Sequence, residues 1–230
     1  MTEPQCIAIL GGTGRQGSGL ARRWACAGHR VLVGSRDGDR ARRAAEGLNA
    51  ELPERCARIL GASNRDAARD AVVVVLAVPY AAQLAAADEV KDLLAGKILV
   101  DVTVPLVPPR VERVQLPAGG SAVEILQHRL GRAVRVVSAF QNVSASHLRH
   151  IERVVECEVL VCGDDPEARE AVVVLARAAG LTAWHAGPLA NSAAAEALTS
   201  VLVAINRHYK AAGSGIRITG VPGGTDGYVR

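Results

Sequence analysis

Aromatic residues are scarce in this 230-residue chain, 3% in all, with one Phe, two Trp and three Tyr. Its core must therefore be packed from aliphatic helix–sheet contacts. Basic residues spread along 15–43 and 129–153 without an aromatic interleaving pattern, so a nucleic-acid surface is not expected. No apolar run is long: the longest, 71–79, is far too short to span a bilayer. No charged segment followed by an apolar one opens the chain as a secretion signal would. The expectation is a cytoplasmic protein that engages neither nucleic acid nor membrane. No C-x-x-C occurs, and the five cysteines, Cys6, Cys26, Cys56, Cys157 and Cys162, are odd in number. That argues against a disulfide framework or a zinc site and for reduced, buried thiols. The histidines show no metal-ligand spacing beyond His147 and His150, which lack a third ligand nearby, so no metal is expected. The formal charge of +4 is modest and would suit an anionic cofactor and substrate.

What is present begins at residue 6. The apolar run Cys6-Ile7-Ala8-Ile9-Leu10 leads into Gly11-Gly12-Thr13-Gly14-Arg15-Gln16-Gly17. Gly12, Gly14 and Gly17 stand in the G-x-G-x-x-G register that joins a strand to a helix in dinucleotide folds. In that register Gly12 makes the tight turn, Gly14 lets backbone approach a pyrophosphate, and Gly17 packs helix against strand. The helix start, with its free N–H groups and dipole, then holds the phosphates. A second apolar run, Val31-Leu32-Val33, ends in Gly34-Ser35-Arg36. NAD enzymes usually carry Asp or Glu at this place, to accept the ribose hydroxyls. A hydroxyl followed by a guanidinium suits a 2′-phosphate instead, and Arg40, one helical turn on, can reach the same group. NADP is the expected cofactor.

Strands and helices alternate as a Rossmann-type, doubly wound α/β sheet requires. Strands are predicted near 6–10, 30–34, 57–60, 72–77, 97–101 and 134–138, and helices near 15–27, 38–49, 64–69, 81–94 and 121–130. The run 72–77 is apolar on both faces, as a central parallel strand should be. Val78-Pro79 follows it, at the carboxyl edge where open sheets bind ligands. Residues 102–120 form a long Pro- and Gly-punctuated segment, expected to cover the crevice. After Ser138 the pattern changes: a segment 139–144, a strand near 156–162, a turn and N-cap at 163–166, a helix near 167–179, a strand near 181–185, and an Ala-rich helix through about 212. This predicts a dinucleotide-binding domain over 1–140 and a smaller α/β region over 141–230 for substrate binding and dimerisation. The tail beyond Ile218 is expected to fray.

The strings Gly11-Gly12-Thr13-Gly14, Val33-Gly34-Ser35-Arg36, Val161-Cys162-Gly163-Asp164-Asp165, 186–192 (Ala-Gly-Pro-Leu-Ala-Asn-Ser) and Gly215-Ile216-Arg217-Ile218 occur in this order. Together they resemble the NADPH-dependent reductases of coenzyme F420, an 8-hydroxy-5-deazaflavin, over nearly the whole chain. The resemblance implies reversible hydride transfer between NADP(H) and F420, and a homodimer. It implies that Thr13, Ser35, Arg36 and Arg40 hold the 2′-phosphate side of NADP, and that Val78 and Pro79 line the cofactor. Arg15, Gln16 and Ala139 are expected at the cofactor as well. Gln141, Asn142, Val143 and Ala145 would meet the deazaflavin, Gln141 and Asn142 donating to its carbonyls. Archaeal members carry His where Gln141 stands; Gln keeps a donor and an acceptor but no titratable charge.

Direct hydride transfer between two rings needs binding, orientation and water exclusion, not a nucleophile or metal. The sequence has no G-x-S-x-G elbow, no paired carboxylates at a plausible site, and no Lys or Tyr in a dehydrogenase motif. No catalytic residue is therefore assigned. Two other readings stay open on the residues alone. One is an NADP-dependent reductase of another small substrate, such as an imine, a keto acid or a pterin-like heterocycle. The other is a non-catalytic NADP sensor.

Overall fold

A computed structural model describes residues 3–221. Its elements run β1 (Cys6–Leu10), α1 (Arg15–Cys26), β2 (Arg30–Ser35), α2 (Gly38–Glu51), β3 (Leu60–Ser63), α3 (Asn64–Asp70), β4 (Val73–Leu76) and α4 (Gln83–Val90). The second half adds β5 (Ile98–Asp101), α5 (Ala122–Leu130), β6 (Arg135–Ser138), α6 (Ala145–Arg149), β7 (Val159–Gly163), α7 (Pro166–Ala178), β8 (Ala183–His185) and α8 (Ser192–Tyr209). The eight strands form one sheet in the order β3-β2-β1-β4-β5-β6-β7-β8. All pairs from β3 to β6 are parallel; β7 runs antiparallel to β6, and β8 parallel to β7. The winding direction reverses at β1, between β2 and β4, which opens a crevice at their carboxyl ends.

Alternate strand residues feed two cores. Ile7, Ile9, Val31, Val33, Val73 and Val75 face α1, α2 and α7, while Ala8, Leu10, Leu32, Val74 and Leu76 face α3, α4 and α5. Side chains cap four helices: Asp37 caps α2, Ser63 caps α3, Ser121 caps α5, and Asp165 caps α7, with Pro166 in its first turn. Among the described residues no side chain caps α1, whose N-cap is Gly14. The positive end of the α1 dipole is thus left open to an anion, and it lies at the switch point.

Helix α1 also joins the two halves of the chain. Arg23, buried, donates to the carbonyls of His147, Leu148, His150, Arg153 and Ala179, at 2.9–3.2 Å. Trp24 Nε1 donates to Leu175 O at 2.8 Å, and its ring meets the edge of Phe140 at 5.9 Å. Gly19 lets α6 approach closely: a Cβ there would stand 2.6 Å from that of Leu148.

Several expectations are corrected. Cys26 and Cys56 form a disulfide across 30 residues rather than remaining thiols. The end of α1 and the turn after α2 meet there, and Ala57 N–H donates to Ala25 O at 2.9 Å. Cys6, Cys157 and Cys162 are free. The third strand starts at Leu60, later than 57–60, because the Ala57 N–H goes to Ala25 O and the Asn49 amide takes both the N–H and the carbonyl of Ile59, leaving pairing with β2 to begin at Leu60. The helix expected over 81–94 is α4 flanked by 3-10 turns at Tyr80–Ala82 and Lys91–Leu93. The last helix stops at Tyr209, where Lys210 turns left-handed at φ 54°. Fraying was expected beyond Ile218, a stretch that lies mostly outside the described residues.

Candidate functional site

Two clefts open along the carboxyl edge. The first, about 340 Å³, is lined by Thr13, Gly14, Ser35, Arg36 and Arg40, with Val78 and Pro79 on its far wall. The second, about 450 Å³, is lined by Arg15, Gln16, Gln141 and Val143. Gly14, Ala77, Val78 and Pro79 line both, so molecules held in the two clefts would meet there.

The glycines divide their work differently from the motif reading. Gly11, not Gly12, takes the left-handed turn, at φ 77°, and a Cβ there would stand 2.6 Å from Ala77 O. Gly12 and Gly17 are buried beneath the turn, where a Cβ on Gly12 would meet Val33 Cβ at 2.8 Å and one on Gly17 would meet Gly12 Cα at 2.8 Å. Only Gly14 of the three lines the clefts. Arg36 and Arg40 are exposed, and neither has an acidic partner among the described residues. Their charges are available to a dianion. An NADP 2′-phosphate fits this donor set, and a bare ribose diol leaves it unused.

Sequence reasoning missed part of the first cleft. Asn64 and Glu89 line its end, with Asn64 Nδ2 donating to Glu89 Oε2 at 2.9 Å and Asn64 Oδ1 buried without a partner. Nothing in their spacing announces this, since α3 and α4 bring them together.

Beneath the second cleft lies a buried polar cluster. Asp101, at the end of β5, accepts from Thr103 N–H at 2.9 Å and from Gln83 Nε2, which also donates to Thr103 Oγ1 at 2.8 Å. Burial pushes the Asp101 carboxyl up to about 6, against the opposing pull of those hydrogen bonds. Gln141 Nε2 donates to Asp101 O at 2.8 Å. A carbonyl only accepts, so this bond fixes the amide orientation and leaves Oε1 as the buried, unpartnered acceptor. Such an atom fits a flat heterocycle bearing an amide-type N–H. From α8, Thr199 lines the same cleft and donates to Gln141 O at 2.9 Å.

Three expected contacts sit elsewhere. Asn142 turns its amide away from the clefts, donating to Glu158 O at 2.7 Å and to Cys157 Sγ at 3.3 Å. Ala139 is fully buried in the core, and Ala145 opens α6; neither lines a cleft. Phe140, between Ala139 and Gln141, holds φ 69°. For a bulky residue that conformation costs about 1–3 kcal/mol and persists only where packing dictates it. The start of the 102–120 segment lines the second cleft through Val102, Thr103, Val104 and Leu106, and Glu112 pairs with Arg207 on α8.

An open sheet with an uncapped α1 N-terminus at its switch point, arginines Arg36 after β2 and Arg40 in α2 without acidic partners among the described residues, and an adjoining cleft fits a Rossmann-type oxidoreductase of the NADP class. The profile of the family described as NADP oxidoreductase coenzyme F420-dependent matches residues 6–105. The F420-dependent NADP reductase of Methanocaldococcus jannaschii is 42% identical over 219 residues, covering 93% of this chain and 97% of the relative. Its counterpart from Methanothermobacter marburgensis is 39% identical over 94% and 99%. A crystal structure from Arthrobacter sp. FB24 superposes with a TM-score of 0.78 at 29% identity, over 94% and 99% of the two chains. The chain belongs to the family of F420-dependent NADP reductases.

Proposed function

We propose that the protein transfers a hydride reversibly between NADP(H), held in the first cleft, and F420, held in the second. The observation that carries this reading is the shared wall Gly14–Ala77–Val78–Pro79, which brings a cationic dinucleotide cleft and a ring-sized cleft into contact. When bound, the two ligands supply the hydride donor and acceptor carbons between them. The chain's part is to hold them. Thr13, Ser35, Arg36 and Arg40 take the 2′-phosphate side, the α1 N-terminus at Gly14 takes the phosphates, and Val78 and Pro79 flank the ribose and nicotinamide; Arg15, expected at NADP, lines the second cleft instead. Gln141 Oε1 accepts from a ring N–H, while Val143, Val102 and Leu106 exclude water. Asn142, Ala139 and Ala145 act from behind this surface. The test mixes protein, NADPH and oxidised F420 and follows the visible absorbance of the deazaflavin. Bleaching dependent on all three supports the reading, and none overturns it.

We infer a homodimer built on α8. Ala194, Val201, Ile205 and Tyr209 form an exposed stripe on one face of that helix at helical spacing, with half-buried Leu198 between them. By length and hydropathy alone, Leu189–Tyr209 could also cross a bilayer. Its opposite face is instead anchored in protein, where buried Glu196 accepts from Ser121 Oγ and the N–H groups of Ala122 and Val123 at 2.8–3.2 Å. Light scattering that finds a monomer at micromolar concentration would count against the dimer. A cytoplasmic site of action accords with the pool of NADP it would draw on.

A further inference from the structure

Gln16 stands in the glycine turn, where the motif directs residues toward phosphate, yet its amide faces the other way. Gln16 Nε2 donates to Phe140 O at 3.3 Å and to Val143 O at 3.4 Å. These carbonyls bracket a tight turn, which Val143 N–H closes on Phe140 O at 3.1 Å. The turn begins with the left-handed Phe140, fully buried, whose ring meets Trp24 edge-on. A bulky side chain keeps a positive φ only where its surroundings over-determine it. Two of the restraints on it, the Gln16 amide and the Trp24 ring, come from α1. Gln16 lines the second cleft and not the first.

We propose that Gln16 is a positioning residue for the hydride partner rather than a phosphate ligand. Its amide pins the strained turn 140–143 and so holds Gln141 and Val143 at the wall of the second cleft. The kinetic side of this proposal rests on the reading that those two residues meet the deazaflavin. Without the amide the turn loses one of the restraints that hold Phe140 at positive φ, and it opens more often, carrying Gln141 away from Asp101 O. The first cleft keeps its lining, because the residue at 16 contributes no side chain to it.

The test is Gln16→Met, which keeps the length of the side chain and removes both donors, with Gln16→Ala as a second variant should the first fail to fold by circular dichroism. Hydrogen exchange on the ligand-free protein should accelerate at the amides of 141–144 by about tenfold, the loss expected for one net hydrogen bond. At saturating NADPH, the KM for F420 should rise by about the same factor, while the NADPH dissociation constant from fluorescence titration stays within about twofold. Weakened NADPH binding with unchanged exchange would make Gln16 a phosphate-side residue and overturn the proposal. So would unchanged exchange with any kinetic result. If the unmodified protein fails to reduce F420, the proposed function falls, but the exchange measurement still decides whether Gln16 pins the turn.

Discussion

Thr199 on α8 donates its hydroxyl to the carbonyl of Gln141, 58 residues earlier in the chain, at 2.9 Å. This bond ties the last helix to the wall of the second cleft. Thr199→Val keeps the shape and removes the donor, leaving a buried carbonyl short of a partner, at a cost of about 1–2 kcal/mol. Steady-state kinetics should show a raised KM for F420, with NADPH binding unchanged. Equal loss for both ligands would show a general loosening instead.

The proposed 2′-phosphate site makes Arg36 the residue on which cofactor choice is tested. Removing a charge-assisted contact to a 2′-phosphate should cost about 1.5–3 kcal/mol, roughly one to two orders of magnitude in affinity. Arg36→Ala should therefore weaken NADPH far more than NADH in parallel titrations. Matching curves for the two cofactors on the unmodified protein would refute the assignment.

Asp101 should give the fold a pH-dependent weakness. Its carboxyl titrates near 6 when folded and near its ordinary 3.8 when unfolded. Between those values the folded state holds a proton that the unfolded chain has released, so stability falls as pH rises through the window and stays lowered above it. A displacement of this size corresponds to roughly 3 kcal/mol. Asp101→Asn removes the ionisable group, and Gln83 can turn its amide to receive the new donor. Thermal melts should show little difference from the parent near pH 4 and a stabilised variant at pH 8. A constant gap across that range would show that Asp101 does not titrate on unfolding.

The Cys26–Cys56 disulfide closes a loop with a sequence separation of 30. Opening a loop of that length should lower stability by about 3–4 kcal/mol if chain entropy dominates. The double variant Cys26→Ser, Cys56→Ser should melt lower than the parent. Reductant should bring the parent toward the variant and leave the variant itself unmoved.

Much of the first half is legible in the sequence because local rules and the fold agree there. The glycine turn sits between two apolar runs, Val73–Leu76 is apolar on both faces, and Ser35-Arg36 falls where a strand must end. The features that escaped depend on contacts between distant segments. Glycine spacing does not say which glycine turns left-handed; the closeness of Ala77 O decides for Gly11. Asn142 and Gln141 look alike as amides. Only the approach of β7, antiparallel to β6, supplies Glu158 O as the acceptor that draws Asn142 inward. Thr199 carries no local mark at all, since its hydroxyl finds a carbonyl from a distant element.

The acceptors of Arg23 all lie beyond residue 140, as does the carbonyl that receives the Trp24 indole and the Leu148 side chain that crowds Gly19. These contacts all cross residue 140, where the sequence pattern changes. Cut there, the amino-terminal piece would leave the Arg23 guanidinium and the Trp24 indole without these acceptors, and the remainder would lose the donor that gathers five of its carbonyls. The second half could not be moved as a cassette onto another dinucleotide-binding sheet unless Gly19, Arg23 and Trp24 travelled with it. Gly19, Arg23 and Trp24, all in α1, thus lock the two halves of the chain into one packed unit.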